Sequence, residues 1–138
     1  MSSVILQTAT RSLISLLMVV ALFALARGHN EPGGGFIAGL GVTAAVVLYG
    51  LAFGAEPARS LLRVHPRVLV GSGLLVALAS ATAGLLIGDS FFDGLWTELD
   101  VPGMDPLKLG TPLLFDVGVA MVVVGTGVGI LVALLEDE

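Results

Sequence analysis

Side chains able to do chemistry are few in this chain, and they concentrate in one stretch. Residues 27–36, RGHNEPGGGF, set Arg27, His29, Asn30 and Glu31 beside Pro32 and three consecutive glycines, Gly33, Gly34 and Gly35, and end at Phe36. Elsewhere Arg11 and Asp116 stand alone inside apolar runs. His29 with Glu31 is too sparse a donor set for zinc or another transition metal. His29 and His65 could share a haem only from opposite faces of one ring, and the topology read below sets them a bilayer apart. Glycines ahead of an apolar run can form a nest of amides that favours anions, yet the phosphate-loop pattern GxxxxGK[ST] is missing. Neither a Ser/His/Asp set nor a carboxylate pair for acid–base work stands out. With 0 cysteines, disulfides, thiolate metal sites and cysteine nucleophiles are excluded. This inventory implies no cofactor, no metal and no catalysis. Asp116 remains the one candidate for contact with an ion or proton.

What must position these residues is a membrane bundle. Of 138 residues, 56% are hydrophobic and 12% charged, and the mean hydropathy is +1.02. Soluble domains carry about 25% charged residues, and a small fold cannot hide this much apolar surface from water. The net charge of −5 argues against a nucleic-acid partner. A bilayer core takes roughly 20 helical residues. Charge-free runs of that order cover 32–55, 68–88 and 117–135, and a shorter one covers 12–26. The first reaches spanning length if it starts near Val4 and tolerates Arg11, whose apolar stem lets its charged head reach the interface. The triplet ALA at 24–26 would suit a signal-peptide cleavage site, but the start is poor in Lys and Arg, which favours a retained span.

The expectation is therefore an all-α membrane protein with four transmembrane helices, at about 4–26, 36–54, 67–88 and 112–135. The 55–66 connection, with Arg59, Arg63 and neighbouring Arg67, is cytoplasmic by the positive-inside rule. Both termini then face the cytoplasm, and the first loop and the acidic 89–111 loop face outward. Phe91, Leu95 and Leu99 at four-residue spacing, beside Trp96, predict a short interfacial helix in that outer loop. Thr111 and Pro112 suit the start of the last span. Arg11 and Asp116 fall at opposite ends of the bundle and should not pair.

Small residues recur four apart at Gly35/Gly39, Ser80/Gly84/Gly88 and Gly125/Gly129. In lipid such faces allow close backbone approach. They serve either packing within this bundle or seats for helices of other subunits. The first loop poses the same alternative. Pro32 stops a helix and the glycines free the backbone for a tight turn, but a turn alone does not require His29, Asn30 and Glu31. Those polar groups could bond a neighbouring chain at the membrane edge.

RGHNEPGGGFIAGL closely resembles the signature of the MnhB family, the B subunits of Mrp-type (Mnh/Sha) multisubunit Na⁺/H⁺ antiporters. GTPLLFDVGVAMVVVGTGVGILVALLE resembles the last span of that family, and ILQTATR and LYGLAFG fit it as well. The resemblance implies that 1–138 form one MnhB-like transmembrane domain in a bacterial plasma membrane. It implies a structural and coupling subunit of a hetero-oligomeric Na⁺ or K⁺/proton antiporter related to the membrane arm of respiratory complex I. Its partners would be the large antiporter-like subunits A and D and the small subunits C, E, F and G, with the proton channels in the large ones. Residues His29, Asn30, Glu31, Pro32, Gly33, Gly34, Gly35 and Phe36 would then serve assembly. Similar modules occur in membrane-bound hydrogenases, so a subunit of such a proton-pumping complex is the alternative. A stand-alone small membrane enzyme or transporter is a third reading, disfavoured by the lack of ion-binding side chains within the spans.

Overall fold

The computed structural model describes residues 3–27, 34–86, 96–99 and 107–137. Among the described residues, five helices and two short strands follow one another: α1 (Val4–Arg27), α2 (Gly34–Phe53), α3 (Ala55–Leu61), α4 (Pro66–Leu86), β1 (Trp96–Leu99), β2 (Leu107–Gly110) and α5 (Thr111–Glu136). Four helices among the described residues are long and apolar enough to cross a membrane. Helices suit that setting because each satisfies its own backbone where water is absent.

Helix ends explain the short elements. Gly54 adopts φ 101°, a conformation that L side chains rarely take, and its N–H donates to the Gly50 carbonyl (2.8 Å). The chain thus leaves α2 and restarts at once as α3. The 55–66 connection, expected as a plain loop, is therefore partly helical. Its Ala58 is fully buried against a core of Val46, Val124, Val128, Leu131 and Val132. His65 then opens α4. Its carbonyl accepts from the Val68 and Leu69 amides, and its ring Nδ1 accepts from the Arg67 amide at 3.2 Å. Pro66, which has no N–H to satisfy, takes the first helical position.

The 89–111 connection departs from expectation where it is described. Trp96–Leu99 is a strand, not part of an interfacial helix. It pairs antiparallel with Leu107–Gly110, in a register that sets Thr97 opposite Leu109 and Glu98 opposite Lys108. Pairing to a second segment satisfies backbone groups that one isolated helical turn would leave open. The remainder of the predicted helix, 89–95, lies outside the described residues.

The spanning helices form a row rather than a closed square. α2 and α5 are central, α1 flanks α2, and α4 flanks α5, while α1 and α4 occupy opposite edges. Gly35 meets Asp116, and Gly50 meets Leu131 and Leu135, so α2 and α5 run parallel. Gly41 meets Ala21 and the Gln7 side chain reaches Ala52, which makes α1 and α2 an antiparallel hairpin. Arg59 pairs with Glu136 at 3.4 Å, joining α3 to the end of α5. The start of α1 and the end of α5 therefore share the side of the bundle that holds α3.

One side-chain contact ties this end together. Gln7 Nε2 donates to the Ala52 carbonyl at 3.2 Å, in the last turn of α2, where carbonyls lack intrahelical partners. Gln7→Leu should lower stability by about 1 kcal/mol, the net worth of such a bond. A thermal melt of the detergent-solubilised chain would read it, and an unchanged midpoint would show the bond to be incidental.

Candidate functional site: the seam between the second and last spans

Two of the residues singled out by sequence meet directly. Gly34 and Gly35 begin α2 and are both buried. A Cβ added to Gly35 would collide with the Asp116 carbonyl oxygen, 2.7 Å from its Cα and 2.8 Å from its carbonyl carbon. The contact is therefore backbone on backbone, at the N-terminal ends of two parallel helices. The seam continues down α2. Gly39 faces Val123 and the Ala120 carbonyl, and a Cβ there would lie 2.7 Å from the Val123 Cβ. One turn on, the Thr43 hydroxyl donates to the Gly39 carbonyl (2.8 Å) and the side chain packs on Gly127. Gly50 closes the row against the Leu131 side chain. For Gly35 and Gly39, packing within the bundle is thus the use observed.

The remaining motif residues fall elsewhere. Phe36 turns away from the seam and is 52% exposed on the bundle surface. His29, Asn30, Glu31, Pro32 and Gly33 lie outside the described residues. Asp116 is half-buried in the second turn of α5. Arg11 is remote from it. Its guanidinium lies over the Phe53 ring, 5.7 Å from the centroid, at the far end of α2. From Gly35 to Phe53 that helix rises about 27 Å, so the expected separation of the two charges holds.

Spacing alone missed the reciprocal backbone contact of the other half. Gly73 on α4 and Gly118 on α5 face each other. A Cβ on either would lie 2.7 Å from the other's carbonyl oxygen. Gly125 adds a third close approach, against Val70 and the Pro66 carbonyl. The signal was present as Gly73, Ala77 and Ala81, four apart, a better stripe than Ser80/Gly84/Gly88. Ser80 spends its hydroxyl on the Val76 carbonyl of its own helix (2.7 Å), and Gly88 lies outside the described residues. Beside this contact, α4 and α5 leave a groove of ≈ 380 Å³ whose lining, including Leu74, Leu78, Phe115 and Val119, is all apolar.

This geometry supports close helix packing, and among the described residues no three His, Asp or Glu side chains gather as a metal site would require. A family model described as a domain related to the MnhB subunit of Na⁺/H⁺ antiporter matches residues 5–129. The chain is similar to the B subunit of the Na⁺/H⁺ antiporter of Bacillus subtilis (strain 168), with 34% identity over 99% of this chain and 96% of the relative. It is also similar to the corresponding Na⁺/H⁺ antiporter B subunit of Alkalihalophilus pseudofirmus, with 31% identity over 99% and 95%. With a match over almost its whole length, the chain belongs to the MnhB family.

Proposed function

We propose that this protein is a structural and coupling subunit of a hetero-oligomeric antiporter that exchanges Na⁺ or K⁺ for protons across a bacterial plasma membrane. The observation that carries this reading is the family match from residue 5 to residue 129. The companions are other subunits of the antiporter, the large A and D and the small C, E, F and G. The chain carries no catalytic chemistry of its own. Its part is to hold helices in register at an interface across which cation and proton movements are coupled. Arg59, Arg63 and Arg67 share one end of the bundle, which supports cytoplasmic termini by the positive-inside rule. The residues 29–36 serve assembly, and Asp116, beside Gly35, is the candidate ion or proton contact. A membrane subunit of a related hydrogenase is the competing reading.

Inverted vesicles from cells lacking this chain should lose cation-dependent proton exchange to background, read with a pH-sensitive dye after addition of Na⁺ or K⁺. Exchange at the wild-type rate would refute an essential role. Mass spectrometry of what co-purifies in mild detergent decides between complexes. Antiporter subunits support the proposal, and nickel or iron–sulfur subunits overturn it.

A further inference from the structure

α1 is the most exposed spanning helix, with only Thr10 and Ala21 buried. Its inward face packs on α2, and its outward face divides into two halves. Val19, Leu22 and Phe23 make the half near Arg27 apolar, as lipid contact requires. The other half, beside exposed Ile5, Leu13 and Leu16, presents Thr8, Arg11, Ser12 and Ser15, all exposed and all within one stripe at three- and four-residue spacing. Thr8 satisfies its hydroxyl on the Val4 carbonyl (2.9 Å). Among the described residues, the Ser12 and Ser15 hydroxyls make no hydrogen bond, and no carboxylate lies within ion-pair reach of Arg11. Hydroxyls facing acyl chains gain nothing, and an arginine within a spanning helix normally faces a partner or water.

Resting on the reading of this chain as one subunit of a larger complex, we infer that the Thr8–Arg11–Ser12–Ser15 face of α1 seats a transmembrane helix of a companion subunit that carries an Asp or Glu at the level of Arg11. Charge complementarity selects the occupant. A carboxylate on a helix meets the guanidinium and brings hydrogen-bonding groups alongside Ser12 and Ser15. An acidic lipid headgroup meets the guanidinium alone, since its acyl chains run past the serines. Small hydroxyl residues also allow the close approach on which helix pairs in lipid depend. The Phe53 ring beneath the guanidinium holds it at this level while leaving its N–H groups free to donate.

The test uses the full complex, expressed with all its subunits and purified in mild detergent. Arg11→Glu should cut recovery of one companion subunit by about tenfold or more, while Arg11→Lys, which keeps the charge, stays within about twofold. A photo-crosslinking residue at position 12 should join a spanning helix of that same companion, and one at position 22 on the apolar half should not. Wild-type composition in Arg11→Glu, or adducts at position 12 to lipid alone, would overturn the inference while leaving the antiporter reading intact. Absence of any companion from the wild-type preparation would overturn both.

Discussion

Gly35→Val is expected to abolish cation-driven proton exchange and to strip this chain from the purified complex. The reason is geometric. The first side-chain carbon would occupy the space of the Asp116 carbonyl oxygen and lie 2.7 Å from its Cα. A flexible side chain could turn aside, but a helix backbone cannot, so α2 and α5 must separate along the seam that holds the core. Overpacking of this kind costs about 1–3 kcal/mol when side chains can adjust, and here they cannot. Gly35→Ala should already reach the upper end of that range. Gly71 supplies the control, because nothing lies within 4 Å of a Cβ added there. Gly71→Ala should be neutral or raise stability by about 0.5–1 kcal/mol, the helical preference of alanine over glycine. Thermal midpoints in detergent and dye-monitored exchange read both. A Gly35→Ala protein with wild-type midpoint and exchange would show that the contact can relax.

That glycine also shows where the sequence was legible and where it was not. The spans could be read because charge-free runs near 20 residues have few other homes. The expected 36–54 became Gly34–Phe53, and the expected 67–88 became Pro66–Leu86. Gly34 and Gly35 belong to α2 although glycine is normally costly in a helix, and Gly35 there permits a contact that no larger residue could make. Which helix fills the space was not legible. A small residue every fourth position serves an internal neighbour and a foreign one equally well. Only the fold shows that Gly35 and Gly39 face α5, while Phe36 faces outward. The α3 turn escaped notice because 7 residues are too few to display a period. The strand pair escaped because Trp96–Leu99 acquires its ladder from a segment that lies beyond a run rich in Pro and Gly.

The row of helices bears on coupling. In a closed bundle every helix has two neighbours, whereas here the edge helices α1 and α4 each have one principal neighbour. A subunit built this way offers two long flanks to its surroundings and keeps its own identity through a narrow glycine-lined centre. Movement at the Asp116 end of α5 reaches α2 through rigid backbone contact, without intervening flexible side chains. If Asp116 meets an ion or proton, the effect on α2 follows through packing at Gly35. Asp116→Asn, which keeps the shape and removes the charge, would separate that role from the packing role of the same residue's backbone.

The Gly73/Gly118 contact should be the second indispensable point, and its signature is non-additivity. Gly118→Ala would set a Cβ 2.7 Å from both the Ala77 amide nitrogen and the Gly73 carbonyl oxygen. Gly73→Ala would set one 2.7 Å from the Gly118 carbonyl and 2.8 Å from the Met121 Cβ. Either change alone must drive α4 away from α5, at a cost of about 2–3 kcal/mol. Once the helices have parted, the second methyl group enters space already opened, so the double variant should cost less than the sum by about 1 kcal/mol or more. A larger residue, as in Gly118→Leu, should release α4 from the bundle and expose the 66–86 segment to protease in detergent. Strict additivity of the two alanine changes in thermal or denaturant unfolding would mean that each glycine acts on a separate neighbour, and the reciprocal contact would not be what joins α4 to the rest.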